Sequence, residues 1–327
     1  MKTLVIGGTL FIGRLLVVEL LEAGHEVSVL HRKPDHDLGR DVENLRADRN
    51  DAESLRTALQ GRRFDAVFDN VYDWERGTTS AQVEATVDAC GGGLFRYIFI
   101  SSVAAYGDGL DRREDDPLAP DSHPDPYVRN KAMSERALFR RHREGGLPVV
   151  TFRPPFIYGP GNPFYREAFF WDRIHAGRPI IIPGDGSRLM QFVLVNDLVA
   201  AAIASLSEPG AVGQAFNIGN HSPVTQLALV RRLAKAAGVD PKLVHIPRRR
   251  IIDAGGNPMG KPAYFGVYFD MPSITEAMGK AERVLKIAMT SFDTGLERTH
   301  AWYLDQKNRE PVETSFEDFL LAARVTE

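Results

Sequence analysis

The sequence predicts an α/β fold in which a doubly wound parallel sheet is accompanied by a smaller α/β lobe. The first half of the chain alternates short β-branched segments with amphipathic helical segments, the βαβ pattern of a parallel sheet. A glycine-rich turn follows the first of these β-branched segments. From Pro154 onward, prolines, glycines and aromatic residues crowd together, which is typical of a chain that leaves a regular sheet.

The elements of the first half follow in order. Residues 4–6 are expected to form a buried strand, and residues 12–23 a helix that ends at Gly24, since glycine accepts the left-handed cap conformation. Asp51 and Asp125 are expected to cap two later helices, the second with Pro126 in its first turn. The other expected strands are 27–30, 66–68, 97–101 and 149–152, and the other helices are 51–61, 79–90 and 125–145.

The pattern divides the chain into two lobes. Residues 1–153 are expected to form the sheet domain, to which strands within 192–218 return. Residues 154–191 and 219–327 are expected to form the smaller, substrate-binding lobe, with helices near 224–237, 294–303 and 315–323. Since ligands bind at the carboxyl edge of parallel strands, we expect the active site in the cleft between the lobes.

Composition limits the class of partner. The chain has 327 residues, of which 43% are hydrophobic, and its 40 Lys and Arg against 43 Asp and Glu give a net charge of -3. This balance offers no general attraction to nucleic acid or to an anionic membrane, and favours a small-molecule partner. The single cysteine, Cys90, cannot form an intrachain disulfide and fits a reducing cytoplasm.

The opening segment combines one cation with an apolar run, as a signal peptide does. Its glycines, its charged residues Arg14, Glu19 and Glu22, and the lack of a small-x-small cleavage pattern favour mature structure instead. We also expect no membrane span, because the chain has no uncharged apolar run of about 18 residues.

Gly7, Gly8 and Gly13 lie between the first strand and the first helix. Glycines there permit a tight turn, and the free N–H groups of the helix start can bind a pyrophosphate. The usual three-glycine spacing would put glycine where Leu10 stands. The segment is therefore interpreted either as a dinucleotide site or as a βα turn that binds nothing.

Tyr127 and Lys131 are one helical turn apart and share a helix face. An ammonium group beside a phenol favours the phenolate and lowers the pKa of the tyrosine, which suits acid or base catalysis. The alternative is a solvated face with one packed aromatic ring. Ser101 and Ser102 end the preceding strand at the carboxyl edge of the sheet, and this placement favours the catalytic interpretation.

Together these motifs resemble the extended short-chain dehydrogenase/reductase family of NAD(P)-dependent epimerases, dehydratases and reductases, which has a Rossmann fold. The resemblance rests on GGTLFIG at the glycine turn, SSVAAYG at the serines and YVRNK at the tyrosine, which lies 25 residues after Ser102. RPPFIYGPGN, GDGSRLMQFVLVNDL and FNIGNHSPVT are similar to later family motifs. The GGTxFxG pattern resembles a divergent branch that includes chloroplast stem-loop RNA-binding proteins.

The resemblance implies a role for each motif residue. Ser102 would hydrogen-bond the reacting oxygen, Tyr127 would exchange its proton, and Lys131 would hold the ribose hydroxyls and lower the pKa of the tyrosine. Asp48 would contact adenine. The implied cofactor-binding residues are Gly7, Thr9, Leu10, Phe11, Ile12, Gly13, His31, Arg32, Asp48, Arg49, Asn70, Tyr72, Ser101, Tyr127, Lys131, Pro154 and Phe156. The implied substrate residues are Ser102, Val103, Ala104, Tyr158, Arg188 and Gln191.

Departures from the family pattern narrow the reaction. Phe156 and Met190 replace polar residues common in sugar-nucleotide enzymes, leaving Arg188 as a displaced source of charge. Val103 and Ala104 stand where the 4,6-dehydratases have Asp and Glu, so we expect no dehydration. The expected function is oxidation, reduction or epimerisation at a secondary alcohol or ketone, with a sugar or nucleotide sugar as the leading substrate class. No metal is expected, because the histidines lack ligand spacing.

The alternative to an enzyme is a non-catalytic or RNA-binding member of the same family. Arg140, Arg141 and Arg143, with the run at 248–250, would then contact phosphates. The acidic net charge instead favours solvated surfaces for both groups, so nucleic acid is not the expected partner. A homodimer is one option for the assembly of the chain.

The end of the second strand indicates which cofactor is preferred. Enzymes that prefer NAD usually carry Asp or Glu there, whereas this chain has His31, Arg32 and Lys33. A guanidinium can pair with the 2'-phosphate of NADP, so the segment predicts NADP over NAD. The alternatives are a basic loop exposed to water, or a loop in which Asp35 or Asp37 replaces the missing carboxylate.

Overall fold

The computed structural model describes residues 1–269, 271–306 and 312–322. The strands in chain order are β1 Lys2–Ile6, β2 Glu26–His31, β3 Val42–Arg46, β4 Ala66–Asp69, β5 Arg96–Ile100, β6 Gly109–Arg112, β7 Val149–Arg153, β8 Phe156–Tyr158, β9 Ile180–Pro183, β10 Leu189–Met190, β11 Phe192–Leu194, β12 Gln214–Asn217, β13 Val224–Thr225, β14 Leu243–Ile246 and β15 Ile274–Glu276. The helices are α1 Phe11–Glu22, α2 Ala52–Leu59, α3 Ser80–Cys90, α4 Pro126–Gly145, α5 Glu167–His175, α6 Val195–Ala204, α7 Gln226–Ala236, α8 Arg248–Asp253, α9 Lys280–Leu285, α10 Phe292–Asp305 and α11 Ser315–Ala322.

Seven strands form one parallel sheet, in the order β12-β7-β5-β4-β1-β2-β3, to which the first half of the chain contributes six strands and the second half returns β12. The strand order reverses between β1 and β4, so the carboxyl ends of these two strands flank the position where doubly wound folds bind ligands. The predicted α/β doubly wound fold is confirmed. The edge strand β3 escaped prediction because its sequence, VENLR, is mostly polar.

Alternating side chains of the strands build a hydrophobic core on each face of the sheet. Val5 belongs to the cluster that packs under α1 and α6, whereas Leu4 and Ile6 belong to the cluster on the opposite face. This is the period of two that a strand buried on both faces requires. Lys131 and Asp69 belong to elements, α4 and β4, that border the second cluster.

Side chains at the helix starts fix where α2, α3 and α4 begin. Asp51 accepts hydrogen bonds from the N–H groups that follow it, and Thr79 forms a capping box with Gln82. Asp125 accepts from the N–H of Tyr127 at 2.8 Å, and Pro126 occupies the first turn. The predicted caps at Asp51 and Asp125 are therefore present, and they fix where α2 and α4 begin.

The chain divides into two compact units. The first comprises residues 1–157, 192–221 and 274–289, and the second comprises 158–191, 222–273 and 290–327, apart from the residues outside the described ranges. The expectation that 154–191 and 219–327 form the smaller lobe is wrong for 154–157, 219–221 and 274–289, which belong to the first unit. For 274–289 the reason is that β15 pairs with β6. The segment 192–194 lies in the first unit as expected, but outside its seven-stranded sheet.

The second unit has its own small sheets and helices. β9 pairs in parallel with β14, and β10 pairs antiparallel with β13. Trp171 on α5 donates its indole N–H to the carbonyl of Leu233 on α7 at 3.0 Å. Across the described ranges of the chain, no helix is both long enough and apolar enough to span a bilayer.

Candidate active site

Three glycines shape the turn between β1 and α1. Gly7 has a φ of +81°, and a Cβ atom there would lie 2.0 Å from Cγ2 of Val71. A Cβ on Gly13 would lie 2.0 Å from the carbonyl oxygen of Gly7, so the helix start packs directly on the turn. Leu10 precedes the helix, and among the described residues no side chain caps it. The first-turn N–H groups can therefore serve an anion, which fits a dinucleotide pyrophosphate. The other predicted turn residues, Thr9, Phe11 and Ile12, are half-buried in the same segment.

The end of β2 carries one buried and one exposed side chain. His31 is buried, and burial lowers the pKa of its imidazole. Arg32 has a side chain that is 63% exposed, and its Nη1 lies 3.4 Å from Oδ2 of Asp73. The strand end thus presents a guanidinium with a carboxylate beside it.

Asp73 links Arg32 to two further charged groups. Arg76 donates to Oδ2 of Asp73 from Nε at 2.9 Å and from Nη2 at 2.7 Å, and Nη2 also donates to Oδ2 of Asp48 at 2.7 Å. The backbone N–H of Arg76, together with its guanidinium and the N–H of Glu75, holds the pKa of Asp73 below its usual range. Asp48, the expected adenine contact, is therefore engaged by Arg76, a residue that sequence reasoning missed.

Ser102 follows β5 and begins a short 3-10 turn, Val103–Tyr106. Its Oγ accepts a hydrogen bond from the N–H of Ala104 at 3.2 Å. The N–H of Val103 donates to the carbonyl of Pro154 at 3.0 Å, which ties this turn to the segment that follows β7. The Ser102 hydroxyl consequently lies at the carboxyl edge of the sheet, as the sequence predicts.

Lys131 is buried beneath the same edge, at 5% exposure. Its Nζ donates to the carbonyl of Ile100, the last residue of β5, at 2.8 Å and lies 5.9 Å from the ring centroid of Tyr127. Burial lowers the pKa of Lys131 to about 8. The structure therefore brings Tyr127 and Lys131 together beside the strand end from which Ser102 follows.

Two aromatic side chains surround Tyr127. The indole of Trp74 stacks on its ring at 4.8 Å and 26°, and the ring of Tyr72 meets it edge-on at 4.8 Å and 89°. Asn130 donates from Nδ2 to the Tyr72 hydroxyl oxygen at 3.2 Å, and Trp74 is 59% exposed. Sequence reasoning singled out Tyr72 but missed Trp74, although an aromatic pair just after a sheet strand was the available signal.

A buried ion pair lies at the carboxyl end of β4. Arg49 donates from Nη2 to Oδ2 of Asp69, and the Tyr97 hydroxyl donates to the same oxygen at 2.8 Å. Asp69 is fully buried and Arg49 nearly so. Arg49 was expected to contact the cofactor, but its guanidinium bonds to Asp69, which the sequence reasoning did not single out. An aspartate ending a buried strand was the available signal.

A second buried ion pair joins α4 to β7. Arg153 donates to Glu135 from Nε at 3.1 and 3.0 Å and from Nη2 at 2.7 Å. The Ser101 hydroxyl donates to the same carboxylate, so Ser101, an expected cofactor contact, is engaged within the protein. Arg153 also donates to the Tyr106 hydroxyl oxygen at 2.7 Å. Sequence reasoning missed Glu135, although it lies one turn after Lys131.

Two other expected cofactor residues make contacts within the first unit. Asn70 donates from Nδ2 to the carbonyl of Ile6 at 2.7 Å, which fixes the loop after β4 to the end of β1. The Phe156 ring lies 5.7 Å from the ring of Phe192. These contacts place both residues near strand ends of the first unit.

The remaining expected substrate residues belong to the second unit. Arg188 donates from Nη1 to the carbonyl of Met271 at 2.6 Å. Gln191 and Tyr158 are buried, and the Tyr158 ring meets Phe292 edge-on at 5.2 Å. Arg188 is thus tied by its guanidinium to the loop before β15.

Three of the six arginines considered for RNA contacts form ion pairs within the protein. Arg140 donates to Glu84 at 2.6 Å, and Arg141 donates to Asp88 on the same helix, α3. In the second unit, Arg249 pairs with the carboxylate of Asp253 at 2.8 Å. These pairs place a carboxylate beside each of the three guanidinium groups, and the RNA-binding alternative is not favoured. Within the described part of the chain, no cluster of three metal-ligating side chains occurs.

Comparison with known proteins identifies the family. The model of the NAD dependent epimerase/dehydratase family matches residues 3–219. The chain is 31% identical over 261 residues to the chloroplast stem-loop binding protein of 41 kDa b of Arabidopsis thaliana, covering 75% of this chain and 65% of that protein. It is 30% identical over 225 residues to a dTDP-glucose 4,6-dehydratase of Neisseria gonorrhoeae, covering 66% of this chain and 61% of the dehydratase. The matched part is thus slightly under two thirds of each relative.

Solved structures of epimerases and related proteins have the same fold as this chain. MoeE5 in complex with UDP-glucuronic acid and NAD is 26% identical, with a TM-score of 0.72 over 93% of this chain and 99% of the other. The UDP-glucose 4-epimerase of Thermotoga maritima, solved with UDP-glucose, is 23% identical and shares the fold, with a TM-score of 0.75 over 93% of this chain and 99% of the other. With a matching family model over more than half its length, the chain belongs to the NAD dependent epimerase/dehydratase family.

Proposed function

We propose that this protein is an NAD(P)-dependent oxidoreductase or epimerase that acts at a secondary alcohol or ketone of a sugar or nucleotide sugar. The proposed catalytic residues are Ser102, Tyr127 and Lys131. The observation that carries the proposal is the buried ammonium of Lys131, held by the carbonyl of Ile100 one helical turn from Tyr127.

The chemistry of these side chains fits proton exchange with a hydroxyl or carbonyl oxygen. Positive charge on Lys131 favours the Tyr127 phenolate, so Tyr127 can accept a proton during oxidation and return it during reduction. The Ser102 hydroxyl donates a hydrogen bond to the same substrate oxygen. A nicotinamide cofactor, when bound, would supply or accept the hydride.

The cofactor-binding residues we propose begin with the glycine turn. The uncapped start of α1 would hold the pyrophosphate, and Lys131 the ribose hydroxyls. Arg32 would pair with the 2'-phosphate of NADP, and its exposure leaves the guanidinium accessible. Asp37, one proposed acidic substitute, is paired with Arg14 at 2.6 Å, which further supports NADP over NAD.

Dehydration is not part of the proposed function. Val103 and Ala104 follow Ser102 and carry no acid or base. Asp73, a carboxylate outside the serine motif, accepts hydrogen bonds from Arg76 and is held in its ionised form. Mass spectrometry of reactions with dTDP-glucose and UDP-glucose should detect no 4-keto-6-deoxy product, and its detection would contradict this part of the proposal.

The central test is Tyr127→Phe, assayed with UDP-glucose and UDP-glucuronic acid in the presence of NAD or NADP. The variant should lose about 100-fold to 10,000-fold in turnover, because it lacks the exchangeable proton. Its cofactor affinity should remain near that of the wild type. Tyr264→Phe, which removes a hydroxyl in the second unit, is the matched control and should retain activity. Turnover retained by Tyr127→Phe would refute the proposed site.

Calorimetry with NAD and NADP tests the proposed preference. The wild type should bind NADP more tightly, and Arg32→Ala should lose about tenfold or more in NADP affinity with little change for NAD. Arg62→Ala removes a cation that pairs with Glu43 and should alter neither affinity. Tighter binding of NAD by the wild type would reverse the assignment and favour epimerisation with retained NAD.

A further inference from the structure

The charges around Lys131 point to a residue that supports its role. Lys131 contacts a carbonyl oxygen, not a carboxylate, so the ammonium depends on charges beyond its hydrogen-bond partner. Its Nζ lies 5.0 Å from the Phe99 ring centroid and 5.7 Å from that of Tyr72, which keeps the surroundings largely apolar. In such surroundings, a nearby carboxylate acts on the ammonium with little screening.

Asp69 is that carboxylate. It ends β4 beside β5, pairing in register with Phe99, whose ring lies under Lys131. After burial, which lowers the pKa of Lys131, the Asp69 charge is the strongest influence and acts to raise it. Arg49 acts in the opposite direction. Asp69 therefore opposes the desolvation of the ammonium group.

The other ionisable groups around Lys131 come from several elements. On α4 itself, Glu135 raises the pKa of Lys131, but its carboxylate is also bonded to Arg153. Tyr127 and Tyr72 present rings to the ammonium. Asp69 is therefore the charge whose removal should change the pKa of Lys131 most.

The Arg49–Asp69 pair has unfilled hydrogen-bonding capacity. Oδ1 of Asp69 and the Nε and Nη1 atoms of Arg49 are buried and make no hydrogen bond with the residues that the structure describes. A carboxylate that serves only stability would be expected to have its oxygens satisfied. Its charge is held in place by Arg49 and Tyr97 at one oxygen.

We propose that Asp69 is a positioning residue for the proposed Tyr127–Lys131 pair, and that its buried carboxylate, held by Arg49 and Tyr97, keeps the Lys131 ammonium protonated. This inference rests on the proposed function. The protonated lysine stabilises the phenolate form of Tyr127, so Asp69 controls the pH range in which the tyrosine acts as a base. Arg49 limits this effect and prevents a lone buried anion.

The test is the titration of Lys131 in the cofactor-free protein, followed by NMR with 13C-labelled lysine. Lys131→Arg identifies the resonance by its disappearance. The wild-type midpoint should lie at about 8. Asp69→Asn should lower it by about one pH unit, and Arg49→Gln should raise it, since it removes the opposing cation. Tyr97→Phe changes no charge and should leave the midpoint in place.

The double variant Arg49→Gln with Asp69→Asn leaves no unpaired buried charge and guards against failure of the single variant to fold. Its midpoint should fall below that of Arg49→Gln alone. A purely structural role would loosen the site, hydrate the lysine and raise the midpoint in every variant. An unchanged or raised midpoint in Asp69→Asn, or equal midpoints in Arg49→Gln and the double variant, would overturn the proposal. Because the readout needs no turnover, its failure is separate from that of the Tyr127→Phe test.

Discussion

The first unit buries two arginine–carboxylate pairs that differ in how completely they are bonded. In the Arg153–Glu135 pair, the guanidinium makes three contacts with the carboxylate and further bonds to Tyr106 and the carbonyl of Glu114. In the Arg49–Asp69 pair, Asp69 keeps one buried oxygen without a hydrogen bond among the described residues. Charges of both pairs shift the pKa of Lys131: Asp69 and Glu135 raise it and Arg49 lowers it. Glu135 lies one helical turn after Lys131 on α4.

On the proposed role of Asp69, this difference in hydrogen bonding distinguishes a pair that stabilises the fold from a pair that acts on Lys131. Burial alone would lower the pKa of Arg153, but the paired Glu135 carboxylate raises it, so this guanidinium stays charged at any pH of interest. Within the described part of the chain, Lys131 donates to the carbonyl of Ile100 and is not paired with a carboxylate, and burial lowers its pKa to about 8. A fully hydrogen-bonded ion pair such as Arg153–Glu135 holds two elements together. We propose that the incompletely bonded Arg49–Asp69 pair instead keeps the pKa of Lys131 near physiological pH.

The largest expected effect comes from breaking the Arg153–Glu135 pair. Arg153→Met leaves Glu135 buried without its cation and should lower the free energy of unfolding by about 3–5 kcal/mol. Denaturation in guanidinium chloride measures the change. Replacing both partners, as Arg153→Met with Glu135→Leu, should recover most of the loss. A loss in Arg153→Met below about 1 kcal/mol would mean that the pair is not structural.

Ser101 and Ser102 test the comparison separately, because Ser101 bonds to the Arg153–Glu135 pair and Ser102 belongs to the proposed catalytic site. Ser101→Ala removes a hydrogen bond to the Glu135 carboxylate and should lower the free energy of unfolding by about 1.5–3 kcal/mol with turnover retained. Ser102→Ala should be nearly neutral for stability but lower kcat by about 10-fold to 100-fold. Both variants are assayed by denaturation and by turnover of UDP-glucose. Similar losses of kcat in the two would erase the distinction between the pair and the site.

The smallest expected effect has the opposite sign. Lys131→Met should abolish activity yet raise the free energy of unfolding on the order of 1–2 kcal/mol at pH 7. Removal of the buried ammonium contributes about 3 kcal/mol, and the carbonyl of Ile100, left without its donor, offsets about 1–2 kcal/mol of this gain. The folded-state pKa of Lys131 lies below its unfolded value, so the wild-type penalty is complete below about pH 8. The penalty disappears as the pH rises toward about 10.5.

Denaturation of wild type and Lys131→Met from pH 7 to pH 10 therefore checks the sign of the stability difference and the direction in which it changes with pH. The stability difference should shrink steadily across this range. A difference that is constant with pH would show that Lys131 is not a buried, titrating ammonium.

The sequence predicts much of the fold from local signals. Glycine spacing places the β1–α1 turn, Asp51 and Asp125 cap their helices, and alternating apolar segments give the parallel strands. The β3 strand was missed because an edge strand needs few apolar residues. The segment 274–289 was assigned to the wrong unit, because nothing local in β15 specifies its pairing with β6.

The candidate site likewise has features that the sequence determines and features that only the tertiary structure decides. Chain spacing alone determines that Tyr127 and Lys131 share a helix face, since this follows from the period of the helix, and the β-branched run before Ser102 places it just after a strand. Only the tertiary structure decides that Ser101 bonds to Glu135, that Trp74 stacks on Tyr127, and that Asp69 lies beside Arg49. These contacts join elements far apart in the chain, and electrostatic interactions depend on distance and burial, which a linear sequence does not specify.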